Sequence, residues 1–379
     1  MAELKQILNF DRDELTVELT NSLGVKPFRA KQIVQWLYRR RVKDFSEMTD
    51  INKELREKLS SSYEIYRPEI DTVQLSKDGT RKYLMRLKDG KLVETVLICQ
   101  PKRYTLCISS QVGCAIGCKF CRTGLMGLTR HLETHEILGQ VLRVQDHIDE
   151  LQLNPPPGET VPEQFLNIVF MGMGEPLHNF DNVIRAAKLL NDGLGSNFSK
   201  RKVTISTSGL VPQIRELGKL NIPVALAISL NSTTNECRDN LIPINKRYPL
   251  DELLKTLREF PLNGRMRITL EYVMLHGVND TLADLERLPR IIRGIPAKIN
   301  LIPYNENAGL GFKGPPEEWV HRWQKTLLDQ GLNATVRWSK GQDIGAACGQ
   351  LATESSRKAV KSDLTRQSVA EEMGAAVQS

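Results

Sequence analysis

Six short apolar runs alternate with helical stretches between residues 104 and 302, and no other feature narrows the fold of this chain as much. The runs are Tyr104 to Ile108, Phe165 to Met171, Lys202 to Ser206, Pro223 to Leu230, Met266 to Leu275 and Lys298 to Ile302. In the first intervening stretch Ile137, Val141, Val144 and Ile148 share one face at helical spacing. The next reads as a helix from an N-cap at Asp181 to a stop at Gly193. Six strand–helix units in series predict a parallel sheet curling toward a barrel. In such a fold ligands sit at the C-terminal ends of the strands. With 379 residues the chain can hold that barrel and an accessory domain.

The segments around the barrel differ from it. Up to Asp78 the sequence reads as helical and basic, with Phe28, Ile33, Val34 and Leu37 forming an apolar face between Lys26 and Tyr38. Arg39, Arg40, Arg41 and Lys43 follow, either as a solvated helix end or as phosphate contacts. Asp78-Gly79 and Asp89-Gly90 are turn signals beside strand-like runs, Lys82 to Leu87 and Leu92 to Ile98. Asn154 to Thr160, with three consecutive prolines and a glycine, predicts an exposed loop. After Gly349 the chain is polar and lacks aromatic residues, which predicts disorder in at least part of it.

A net charge of +7 and a pI near 9.0 favour a polyanionic partner. No apolar run reaches transmembrane length, and Met1 to Thr16 lacks the apolar core of a signal peptide. A cytoplasmic protein with reduced thiols is therefore expected. Seven cysteines, an odd number, argue against a disulfide framework.

Three of those cysteines crowd into Cys114-Ala-Ile-Gly-Cys118-Lys-Phe-Cys121, in a loop following a predicted strand. Iron–sulfur clusters are held by cysteine thiolates, normally four, so three ligands leave one iron open to a small molecule. Zinc is the rival, because His131 and His135 follow Cys118 and Cys121 in the order of a C2H2 site. The gap from Cys121 to His131 is too short for a zinc finger, Cys114 would be left over, and His135 falls inside a predicted helix from Glu133 to His147. The cluster is the better reading.

The spacing C-x3-C-x2-C resembles the cluster loop of radical S-adenosylmethionine (SAM) enzymes. The wider string Cys107-Ile-Ser-Ser-Gln-Val-Gly-Cys114 resembles the RlmN/Cfr family of RNA adenine methyltransferases, and the likeness extends to Ala346-Ala347-Cys348-Gly349-Gln350-Leu351. The resemblance implies an α/β fold, a partial (β/α)6 radical SAM barrel with a small helical N-terminal accessory domain. The expected parts are a basic, RNA-binding domain over residues 1–78, a strand-rich connector over 79–103 and the barrel over 104–345. A loop over 346–351 carries a methyl-accepting cysteine, and a polar tail covers 352–379.

The same resemblance assigns site residues. Cys114, Cys118 and Cys121 would hold one 4Fe-4S cluster. Gly174, Glu175, Ser206, Ser229, Asn231 and Asn305 would bind SAM. Taken singly, Glu175 is a solvated acid in a tight Gly-Met-Gly turn, and the strand-end serines and asparagines are helix caps. Cys348 matches the methyl-carrying cysteine, Cys107 its partner and Glu94 a proton acceptor. On residue type alone both cysteines are small buried hydrophobes, and Glu94 a solvent-facing strand residue. Adenine C2 is electron-poor and cannot attack the SAM methyl, whereas a thiolate can. The implied reaction therefore uses two SAM per turnover, one to methylate Cys348 and one to give a 5′-deoxyadenosyl radical. That radical activates the methyl, which adds to the base. Cys107 then takes the C2 proton and displaces the Cys348 sulfur.

Pro176, Ser208 and Pro303 resemble the branch that methylates C2 rather than the Cfr branch that methylates C8. Gln342 and Gln100 depart from it, replacing a usual acid and a common proline. Implied partners are 23S rRNA near the peptidyl transferase centre, tRNA at the adenosine 3′ of the anticodon, and a reducing electron donor such as flavodoxin. No membrane contact is implied, and the protein would be a monomer. A different radical SAM reaction, or a zinc-stabilised RNA-binding protein, are the alternatives. Metal analysis of anaerobically reconstituted protein separates them: iron, sulfide and a brown colour are expected, and zinc in a colourless protein would refute the cluster.

Overall fold

The computed structural model describes residues 4–352 except 102, 200, 221, 263, 265 and 308. The tail expected over 352–379 lies outside the described residues apart from Ala352, which is buried.

Ten strands form one sheet in strict chain order: β1 (Glu69–Leu75), β2 (Arg81–Arg86), β3 (Leu92–Gln100), β4 (Arg103–Cys107), β5 (Phe165–Phe170), β6 (Val203–Thr207), β7 (Ala225–Ser229), β8 (Ile268–Met274), β9 (Ala297–Pro303) and β10 (Ala334–Val336). From β4 to β10 all neighbours are parallel. From β1 to β4 they are antiparallel, joined by tight turns at Gly79 and Gly90, both with positive φ. The six predicted runs are strands β4 to β9. The seventh parallel strand, β10, has only three residues and gives too short a run to read. Strand β8 is buried along nearly its whole length, as expected of a parallel strand covered on both faces.

Helices cover the sheet. Thr134–Leu153 turns Ile137, Val141, Val144 and Ile148 inward. The next helix begins at Phe180 rather than behind an Asp181 cap, because a 3-10 turn over Pro176–Asn179 feeds directly into it. Asp181 lies in its first turn, and the helix ends at Asn191, before Gly193.

The N-terminal region packs three helices against the barrel: Arg12–Leu23, Pro27–Gln35 and Lys53–Ser62. Asp11 and Glu14 form a capping box on the first, and Gly24 closes it in the left-handed conformation. Phe28, expected on the apolar face, is 52% exposed and stacks under Arg29. Strand β1 falls within the stretch read as helical and extends the barrel sheet instead.

The arginine run has a structural use that neither sequence reading foresaw. Arg39 donates to the Gly193 carbonyl, Arg41 pairs with Asp146 at 3.4 Å, and Arg40 stacks on Trp36. Arg67 joins Asp146 at 2.9 Å, with both groups over nine-tenths buried. Arg185–Glu14 at 2.7 Å and Asn9 at 2.9 Å from the His135 amide add further ties. Replacing Arg67 by Met removes the nearest cation from a buried carboxylate. A loss of about 3 kcal/mol is expected in denaturant unfolding, and a loss below about 1 kcal/mol would show that Arg41 and Lys43 compensate Asp146 alone.

Candidate active site

The C-terminal ends of the parallel strands surround one cavity, about 920 Å³ including its open mouth. Cys114, Cys118 and Cys121 line one side of it. Gly174, Glu175, Ser206, Ser229 and Asn231 line the strand ends, and Cys348, Arg337 and Glu271 line the cavity with them.

The Gly172-Met173-Gly174 turn sets the geometry. The amides of Ser110 and Gln111, just before the cysteine loop, both donate to the Met173 carbonyl, at 2.9 and 3.2 Å. A Cβ at Gly174, where φ is +103°, would stand 2.5 Å from the Gln111 side chain, so only glycine fits. Glu175 is buried, not solvated. Its two carboxylate oxygens accept from the amides of Leu177 at 3.0 Å and Ser208 at 2.7 Å. Burial still pushes its pKa up against those bonds.

Asn231 sits at positive φ and accepts from the Val273 amide at 2.8 Å. Asn305 does not line the cavity; its amide donates to Ser339 Oγ at 2.6 Å. Arg238 carried no signal in the sequence, yet it ties these loops together. Fully buried, it donates to the carbonyls of Leu230, Ser208 and Ser229 and to Asn245 Oδ1. Burial lowers its pKa to about 10.

The three clustered thiols suit thiolate ligation. The amides of Thr123 and Gly124, opening the turn Arg122–Leu125, point at the Cys121 sulfur, and the Ile116 amide points at Cys114. Burial raises all three thiols, Cys114 to about 12, and a bound metal would take the place of their protons. Gly124 lets this turn approach: a Cβ there would be 2.9 Å from the Cys118 amide nitrogen. His131 and His135 do not join them. His131 meets Gln111 at 2.9 Å, and His135 meets Asn9 at 3.0 Å. Among the described residues no three His, Cys, Asp or Glu side chains converge on a single-metal site.

Cys348 rides on a strap held by the first hairpin of the sheet. Gly341 donates to Asp78 at 2.9 Å, and Asp343 accepts from Ser76 Oγ at 2.6 Å and from the Lys77 amide at 3.1 Å. Gln342 is exposed beside them, so the anchoring falls to Asp343. Beyond Cys348, the Gly349 carbonyl accepts from the Arg122 amide at 2.9 Å, and the Leu351 carbonyl from Thr123 Oγ1 at 2.7 Å. Cys107, at the end of β4, is buried behind the cavity. Burial and the neighbouring Cys348 push its pKa to about 12, against the opposing pull of Arg337. Glu94 is buried and forms an ion pair with Lys82 at 3.3 Å; it is not solvent-facing and does not line the cavity.

Two family models match the chain: the N-terminal domain of ribosomal RNA large subunit methyltransferases over residues 5–65, and the radical SAM superfamily over 108–288. The dual-specificity RNA methyltransferase RlmN of Anaeromyxobacter dehalogenans is 52% identical over 341 residues, 90% of each chain. That of Geotalea uraniireducens is 49% identical over 92% of this chain and 97% of its own. A crystal structure of a radical SAM methyltransferase from Sphaerobacter thermophilus superposes with a TM-score of 0.83 at 40% identity, covering 92% of this chain and 99% of that one. A radical SAM barrel with its cysteine loop at the strand ends, and half its residues shared over nine-tenths of its length, make this chain a member of the RlmN family of radical SAM RNA methyltransferases.

Proposed function

We propose that this chain methylates carbon 2 of adenosine in 23S rRNA and in tRNA, through a methylated Cys348 and a covalent RNA–enzyme intermediate that Cys107 resolves. The observation that carries the reading is a lone thiol, Cys348, lining the same cavity as the clustered trio and lying beside buried Cys107. The printed names of the relatives describe RNA methyltransferases of dual specificity, and the excess of cations suits a polyanionic substrate.

Cys114, Cys118 and Cys121 would hold one 4Fe-4S cluster. When bound, the cluster supplies the electron that cleaves SAM reductively, drawn from a reducing partner such as flavodoxin. Gly174, Glu175, Ser206, Ser229, Asn231 and Asn305 would seat SAM; Asn305 needs to turn from Ser339 to do so. Two SAM are used per turnover. In the first use the Cys348 thiolate attacks the SAM methyl: a sulfur–carbon bond forms and S-adenosylhomocysteine leaves. After the carbon radical adds to C2, the adduct gives one electron back to the reducing centre and Cys107 takes the C2 proton. Once that proton is passed on, the Cys107 thiolate attacks the Cys348 sulfur, the carbon–sulfur bond breaks to leave a transient disulfide, and the released carbon takes up a proton to become the methyl group. Glu94 would act as a proton acceptor only through the hydrogen-bonded layer behind the cavity, where its carbonyl accepts from Ser109 Oγ. The N-terminal residues 1–78 would contact RNA with exposed groups such as Lys26, Lys31 and Arg40. The enzyme would work as a cytoplasmic monomer.

Cys107→Ala is expected to trap RNA on the protein, visible as a shifted band on a denaturing gel, while Cys348→Ala and the double variant trap none. Free, methylated RNA from Cys107→Ala would remove Cys107 from its role. Mass spectrometry of modified RNA is expected to find 2-methyladenosine; 8-methyladenosine as the main product would overturn the C2 assignment drawn from Pro176, Ser208 and Pro303.

A further inference from the structure

Two charged groups on the cavity wall have no work in the scheme above. Glu271 lies in the middle of β8, paired in register with Ser229, and is buried. Its Oε1 accepts from Asn300 Nδ2 at 3.0 Å, but its Oε2 is buried without any hydrogen-bond partner. Arg337 follows β10, where its amide is fixed to the Leu301 carbonyl at 2.8 Å. Its guanidinium faces the cavity, and among the described residues its one side-chain hydrogen bond is to the soft sulfur of Met171 at 3.6 Å. Among the described residues, no carboxylate lies within ion-pair distance of it.

A buried carboxylate oxygen without a partner and a half-buried guanidinium lie on one wall, near enough to feel each other's charge but not in direct contact, and a third group that bridges them would satisfy both. The bridge must donate to the acid and accept from the cation. Adenine does both on adjacent atoms: its 6-amino group donates, and the ring nitrogen next to it accepts. That ring nitrogen, N1, is bonded to C2. Cys348 and Cys107 both lie close enough to Arg337 to interact with its charge, so a base held there meets the two thiols that work on it.

Resting on the function proposed above, we infer that Arg337 and Glu271 read the target adenine, Arg337 donating to N1 and Glu271 accepting from the 6-amino group. The hydrogen bond to N1 draws electron density from the ring, which makes C2 a better acceptor for an electron-rich carbon radical. No proton or electron changes hands at either residue, so Arg337 acts by binding the reacting ring and polarising it. The pair also rejects guanine, whose corresponding edge offers a carbonyl to the acid and an N–H to the guanidinium.

The test is a cycle of enzyme and substrate changes in the reconstituted full-length enzyme. Single-turnover methylation is measured on RNA carrying adenosine or 1-deazaadenosine at the target, with wild type and Arg337→Lys. Each single change is expected to slow methylation about tenfold or more, as for a hydrogen bond to a charged group. Combined, they are expected to cost little more than one alone. The intrinsic effect of losing the nitrogen is common to both enzymes and cancels. Glu271→Gln against a target lacking the 6-amino group forms a second, independent cycle. It decides the matter if Arg337→Lys does not fold. Multiplicative losses in the cycles would overturn the inference. So would an Arg337→Lys enzyme whose SAM affinity without RNA falls as far as its methylation, since the pair would then hold the amino-acid end of SAM. Wild type on unmodified RNA is the control for the function itself: no 2-methyladenosine there sinks that reading, whereas product there with multiplicative cycles sinks only this one.

Discussion

The site depends on a contact between the two ends of the sheet. Asp78 and Ser76, in the first hairpin, grip Gly341 and Asp343 on the strap that follows the last strand. That grip fixes the strap on the N-terminal side of Cys348, where it carries no helix or strand of its own. Thr123 and Arg122 complete the hold by binding the strap just past Cys348, directly after the last clustered cysteine. The three groups of cysteines therefore share one rigid frame: the trio on its loop, Cys107 at a strand end, and Cys348 on a strap pinned at both sides. Preorganisation of this kind matters because a reacting carbon must be passed between fixed atoms.

Much of this was legible in the sequence, for physical reasons. Apolar runs bounded by helical patterns gave β4 to β9 to within a residue or two at most ends, because buried parallel strands admit few polar residues. The cysteine spacing stood out because three thiols in one loop serve little purpose except ligation. Positions at strand ends were readable as a set once the barrel was inferred, and most of them do line the cavity. What escaped were residues whose partners lie far along the chain. Nothing local distinguishes Arg238 or Arg337 from surface arginines, and nothing marks Glu271 as buried within a strand otherwise rich in apolar residues. The arginines after Tyr38 read as a solvated helix end or as phosphate contacts; that Arg41 also holds Asp146 and Arg39 the Gly193 carbonyl was invisible because those partners lie more than a hundred residues away.

Burial sets the electrostatic character of the cavity. Burial pushes Glu175, Cys107 and the three clustered thiols toward their neutral forms, and buried Arg238 and half-buried Arg337 answer with fixed positive charge. A cavity so arranged favours anionic sulfur when it forms and disfavours stray cations. The backbone amides at Cys114 and Cys121 act in the same direction without adding a titrating group.

The strict chain order of the sheet has a consequence for how the protein is made. As the chain leaves the ribosome, each new strand finds its preceding neighbour already in place, so pairing advances from the N-terminus without waiting for distant segments. The strap alone breaks this order, since it must return to the hairpin made first. The barrel can thus assemble around its cysteine loop before Cys348 arrives, so the cavity gains its last cysteine only when the chain's two ends are joined.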